Sequence, residues 1–320
     1  MGKTILPDAR VMPRFAGLCT FCRYPRLEDV APEQSPVDWA IYGVPFDGGV
    51  TYRPGARFGP RAIREASQYV KRYHVEHGVD VCDTLSIADA GDAPISPYSI
   101  PETIEAHRNF AREIGNAQST RLLAVGGDHS IAYTNIQVAW ERFGSPKKGL
   151  ALIHFDSHLD TVDSVWGEKH GHASVFRRAI EDGIVTPDRM LSIGVKGPLN
   201  SGDDLKFAAA NGVRVLSPDE FRREGVKAAA DFLRREGGEP VYLTFDIDVV
   251  DPAFAPGTGT PSIGGFTSGE VLAALRLFKG ANLVGADVVE VLPDRDVAGI
   301  TSLLAAHVIF EILALDAARR

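Results

Sequence analysis

The chain has 320 residues, 44% of them hydrophobic and 24% charged, as expected of a soluble globular protein with a sizeable core. Its formal net charge of −8 speaks against a nucleic-acid partner, because phosphate binding needs a basic surface. No run of about eighteen apolar residues reads as a membrane span.

The N-terminal "MGKTILPDARVMPRF" lacks the apolar core of a signal peptide, and Leu6 stands where a myristoylation signal wants Ser or Thr. A cytoplasmic location is therefore expected. Residues 1–36 read as an extension ahead of the first strand, and the whole of 1–320 as one domain. Cys19 and Cys22 form a C-x-x-C without further soft ligands at zinc spacing, so they read, with Cys82, as ordinary reduced thiols.

From there, apolar runs alternate with helix-period segments almost to the end. The predicted strands are "DWAIYGVPF", "LSIADAG", "RLLAVGG", "LALIHFD", "MLSIGV", "VRVLS", "VYLTFDID" and "LVGADVVEV". Among the predicted helices, "PRAIREASQYVKRY" puts Ile63, Ala66 and Val70 on one face, with Pro60 in its first turn. "SPDEFRREGVKAAADFLRRE" opens on a Ser217/Glu220 capping box. "TSLLAAHVIFEILALDAARR" is an apolar closing helix with Arg319 and Arg320 at its negative end. Eight strands in a β-then-α rhythm imply an α/β fold with a parallel sheet covered on both faces, closed as a barrel or open. In either case ligands bind beyond the carboxyl ends of the strands.

Three strands end in charged clusters: Asp128 and His129; Asp156, His158 and Asp160 in "HFDSHLD"; Asp246 and Asp248 in "TFDIDVVDP". Alternation along an extended chain puts residues two apart on one side. A lone Asp after a strand is usually a turn residue, which is the reading for Asp128, Asp163 and Asp251. His74, His77, His107 and His307 read as satisfied structural histidines. Carboxylates converging from D-x-H-x-D and D-x-D would repel one another without a compensating cation. Six ligands exceed one catalytic zinc and suit two divalent ions, with the oxygen-rich set leaning toward Mn²⁺ and admitting Ni²⁺.

"GGDHS", "HFDSHLD" and "TFDIDVVDPAFAPGTGTP" resemble, in order, the three signature blocks of the ureohydrolases (arginase, agmatinase, guanidinobutyrase). The resemblance runs nearly the whole chain, and the N-terminal part is similar to the agmatinase and guanidinobutyrase branch. It implies an open three-layer α/β/α sandwich with an eight-stranded parallel sheet. It implies His129, Asp156, His158, Asp160, Asp246 and Asp248 as metal ligands, with Asp156 and Asp248 as bridges. Asp128 and His154 would lie behind them. Glu290 in "DVVEVLP" matches the glutamate that holds the guanidinium.

In "GEKHGHASVFRRA" one alignment selects His172 as the proton carrier and another selects His170, with His172 preferred. Asp163 and Trp166 follow the ligand run where family loops meet the substrate tail. The chain departs from the family pattern at Ala173, Ser174 and Val175, at Ser262 where Glu is common, and at Ser157 where Ala is usual. The implied reaction is hydrolysis of a guanidino compound to urea and an amine, with agmatine or 4-guanidinobutanoate as first guess. A small alkylated guanidine or biguanide is the alternative. Trimers or hexamers are expected, and a silent partner subunit in a mixed assembly is a competing reading. A binuclear phosphoesterase would show more His, an Asn ligand and an arginine clamp, and a single-zinc deacetylase would not need six ligands.

Overall fold

Each of the eight predicted apolar runs is a strand in the computed structural model, which describes residues 3–320. In chain order they are β1 (Trp39–Val44), β4 (Ile87–Asp92), β5 (Arg121–Gly126), β6 (Leu150–Phe155), β7 (Val185–Ile193), β8 (Arg214–Leu216), β9 (Pro240–Asp246) and β10 (Asn282–Val289). A two-residue hairpin, β2 (Tyr73–His74) with β3 (Val79–Asp80), escaped the sequence reading because it carries no apolar pattern. The sheet order is β4-β1-β5-β10-β9-β6-β7-β8, all neighbours parallel. The sheet is open at β4 and β8, so the sandwich, not the barrel, is realised.

The central strands β6 and β9 are buried along nearly their whole length, as a sheet covered on both faces requires. The helices are α1 (Gly59–Ala66), α2 (Val81–Thr84), α3 (Ile100–Glu113), α4 (Ile131–Arg142), α5 (Val175–Glu181), α6 (Lys206–Ala210), α7 (Pro218–Glu236), α8 (Ser268–Arg276) and α9 (Ile300–Arg319). The predicted face of α1 is cut short, because the α-helix ends at Ala66 and Val70 follows a 3-10 turn. The Ser217/Glu220 capping box opens α7, with Gly237 in the left-handed conformation at its end.

Contrary to the sequence reading, α9 with the turn before it is long and apolar enough to cross a bilayer, with a mean hydropathy of 1.9 over its window. Its apolar surface is instead taken up by the core, with 67% of that window buried. The N-terminal segment is also tied down. Phe21, Cys22 and Tyr24 enter the core, and the Phe21 amide donates to Asp89 at 2.9 Å.

The register sets the site. Phe155 of β6 pairs with Phe245 of β9, and Val289 of β10 pairs with Asp246. Asp156, Asp246 and Glu290 therefore leave three adjacent strands at one level. The fourth strand, β5, joins them through the Glu290 amide, which donates to the Gly127 carbonyl at 2.9 Å. Gly127 must be glycine here, since a Cβ would collide with the Phe46 carbonyl of the segment leaving β1.

Candidate metal centre

The six predicted ligands converge from the ends of β5, β6 and β9. His129 Nδ1 lies 3.0 Å from Asp156 Oδ2, 2.9 Å from Asp160 Oδ2 and 3.4 Å from Asp246 Oδ2. His158 Nδ1 lies 3.3 Å from Asp156 Oδ1 and 3.1 Å from Asp248 Oδ2. Asp156 thus turns one oxygen to each imidazole. Strand alternation is not what brings them together. β6 stops at Phe155, Asp160 has a left-handed backbone (φ 52°), and Asp248 sits in the 3-10 turn Ile247–Val249.

Burial and electrostatics show what the cluster needs. Asp156 and Asp248 are fully buried. Burial, then repulsion from Asp248 and Asp156, holds Asp246 well above the usual carboxylate range. Burial and Asp156 also push Asp160 up. Burial disfavours an imidazolium at His158, yet Asp248 and Asp156 together raise it to about 12. Burial likewise opposes charge on His129, and Asp156, Asp160 and Asp246 override it. The carboxylates demand positive charge, which His129 and His158 meet only as imidazolium ions held against their burial.

A donor-set test favours divalent ions. His129 Nδ1 is buried and makes no properly directed hydrogen bond, although three carboxylates surround it. Its other nitrogen is fixed: Nε2 lies 2.8 Å from Thr244 Oγ1, which donates to Asp287 at 2.6 Å. A carboxylate-backed imidazole with a bare nitrogen facing carboxylates is built to ligate. The triads His129–His154–Asp156 and Asp156–His158–Asp248 each could hold an ion. His154 Nε2 lies 3.0 Å from Asp156 Oδ2 while its Nδ1 meets Ser192, which places it behind the cluster. Asp128 is a turn residue accepting from the Gly49 and Ser130 amides at 2.7 and 2.9 Å. Burial and Glu290 raise its carboxyl to about 6.

Glu290 sits beside the cluster, 1% exposed, in a left-handed conformation (φ 67°). Its Oε1 accepts from the His129 amide at 2.9 Å and from His172 Nδ1 at 2.8 Å. Its Oε2 is buried with no partner. His172 Nε2 accepts from the Thr51 amide at 2.9 Å, which favours the neutral ring. Burial favours it too, while Glu290, Asp160 and Asp128 pull toward imidazolium and lift the group to about 9.

His170 lies elsewhere, edge-on to Tyr133 at 5.6 Å. Asp163 is paired with Arg178 at 2.6 Å, and Trp166 is 85% exposed, so neither belongs to the buried cluster. Sequence reasoning missed Thr51, Thr244, Asp287 and Lys196; Thr244 and Asp287 open the quoted runs "TFDIDVVDP" and "DVVEVLP" but carry no ligand spacing of their own.

A parallel α/β sheet whose central strands end in two carboxylate–imidazole triads able to hold ions defines a candidate metal-centre protein. The arginase family model matches residues 37–315. The guanidinopropionase of Pseudomonas aeruginosa is 42% identical over 310 residues, covering 96% of this chain and 94% of that protein. The mitochondrial agmatinase of Gallus gallus is 39% identical over 308 residues, covering 96% and 88%. The solved proclavaminate amidino hydrolase of Streptomyces clavuligerus superposes with a TM-score of 0.87 at 39% identity, covering 96% of this chain and 100% of that one. The chain belongs to the arginase family, a family of binuclear metal enzymes, and is an amidine hydrolase acting on C–N bonds.

Proposed function

We propose that the chain hydrolyses an ω-guanidino compound to urea and an amine at two divalent ions. Agmatine and 4-guanidinobutanoate are the leading substrates, and the relative named guanidinopropionase adds guanidinopropionate. The observation that carries the reading is Glu290 Oε2, a buried carboxylate oxygen with no partner, next to the ligand cluster. A planar cation offering paired N–H donors is what such an oxygen accommodates.

His129, Asp156, Asp160 and Asp246 would hold one ion and Asp156, His158 and Asp248 the other, so that Asp156 is shared between them, while Asp248, expected from the resemblance as a second bridge, falls in the second set alone. Mn²⁺ suits the oxygen-rich set, and Ni²⁺ is the second choice. Two such ions, when bound, supply hydroxide near neutral pH. Glu290 orients the guanidinium carbon toward them and offsets its charge. An amide-like nitrogen leaves only if it is protonated as it departs. His172 is the proton carrier in this reading. It touches Glu290, and against its burial the charges of Glu290, Asp160 and Asp128 raise it to about 9, so at neutral pH it holds a proton to give to the departing nitrogen. His170, against Tyr133, has no such access. A closed oligomer of identical subunits is part of the proposal, as is a cytoplasmic location.

The test is urea release across a panel of guanidino acids, agmatine, alkylguanidines and biguanides, with Mn²⁺ and Ni²⁺ supplied separately. Urea from an ω-guanidino compound is the expected result. Urea from biguanides alone would move the substrate class, and none from any compound with either metal would end the reading.

A further inference from the structure

Behind Asp248 lies a set of contacts that the reaction does not use. Ser157 stands between two proposed ligands, Asp156 and His158. Its amide donates to Asp248 Oδ1 at 3.0 Å, and its hydroxyl donates to the Asp248 carbonyl at 2.6 Å. Lys196, just past the end of β7, reaches the same spot. Its amide donates to the Ser157 carbonyl at 3.1 Å. Its ammonium donates to Ser157 Oγ, to the Asp248 carbonyl at 2.9 Å and to the Val249 carbonyl at 3.4 Å.

The donor count closes. A serine hydroxyl has one proton, here given to Asp248, and lone pairs left for the ammonium, which only donates. Three segments, following β6, β7 and β9, are tied at one point. Each acceptor of the ammonium is a neutral oxygen, not a carboxylate. An alanine at 157 would keep the amide contact to Asp248 Oδ1 and lose both hydroxyl contacts.

We propose that Lys196 and Ser157 are a positioning pair that fixes Asp248 for metal binding, acting through geometry and not through the lysine's charge. This rests on the metal centre proposed above. The two physical accounts differ in sign. A bare cation beside two dications repels them, so removing it would tighten metal binding. A clamp on a ligand loosens that ligand when removed, and partners behind metal ligands typically contribute about 10- to 100-fold in affinity.

The experiment titrates Mn²⁺ by calorimetry into metal-free wild type, Lys196→Met, Ser157→Ala and the double variant, with metal stoichiometry from elemental analysis. Ser157→Ala keeps the ammonium and so separates geometry from charge. Each single change is expected to weaken Mn²⁺ binding about 10- to 100-fold. The double variant is expected to bind no more weakly than the weaker single one, because both break one clamp. Unchanged or tighter binding by Lys196→Met, or losses that simply add, overturns the proposal. If Lys196→Met fails to fold, Ser157→Ala decides alone, and unchanged affinity there overturns it. A wild type that binds neither Mn²⁺ nor Ni²⁺ sinks the metal reading itself, which is a distinguishable failure.

Discussion

Glu290 combines a left-handed backbone, near-complete burial and one unpartnered oxygen. A non-glycine residue in that region costs on the order of 1–3 kcal/mol and persists only where its surroundings over-determine it. Here the Gly127 carbonyl, the His129 amide and His172 do so. Glu290→Gln keeps the shape and removes the charge that a guanidinium would meet. Its KM for the best guanidino substrate is expected to rise and kcat/KM to fall by about 100-fold or more, as for a desolvated charge pair of ~3 kcal/mol. A variant with unchanged KM would move the guanidinium elsewhere. His172→Asn should separate differently. Loss of a positioned acid–base group lowers kcat by about 10²–10⁴-fold with little change in KM. Equal loss in His170→Asn and none in His172→Asn would reverse the assignment made from the Glu290 contact.

At the scale of elements, the legible features were those with a local cause. The eight strands were readable because a sheet buried on both faces needs unbroken apolar runs. The α7 cap was readable because Ser217 and Glu220 satisfy each other's amides across three residues. Ser217→Ala should destabilise the protein by about 1 kcal/mol in urea unfolding, without touching metal content. The β2–β3 hairpin was not readable, since its anchor is remote: His74 meets Glu311 of α9 at 2.9 Å. Nor did strand alternation correctly explain D-x-H-x-D. The left-handed turn at Asp160 folds that carboxylate back toward His129, and only its packed surroundings specify that turn.

For the whole molecule, two stability measurements follow. Chelation returns four crowded aspartates to mutual repulsion, so EDTA treatment should lower the Tm and Mn²⁺ should restore it in a concentration-dependent way. A Tm indifferent to both would speak against the centre. Acid sensitivity has a different source. His107 is fully buried against Tyr42, and burial lowers it to about 3 from 6.5. Between those values the unfolded chain carries the proton and the folded chain does not. Stability is therefore present above pH 6.5 and is lost as pH falls toward 3, by at most ~1.4 kcal/mol per unit for this group. Urea unfolding of metal-free protein at pH 6.5 and 4.5 should show a shallower pH dependence in His107→Gln than in wild type.

The sequence by itself determined the strand count, the α/β class and the identity of six ligand-type side chains, because each is written in local pattern and residue chemistry. It could not say which strands are neighbours. The order β5-β10-β9-β6 brings together residues from opposite halves of the chain, and that order depends on long-range pairing. Only the tertiary structure put Glu290 against His172 and not His170, and turned one oxygen of Asp156 to each imidazole. It alone set Lys196 behind Asp248. Charge brought together from distant segments is decided by register and backbone turns, which no local pattern records.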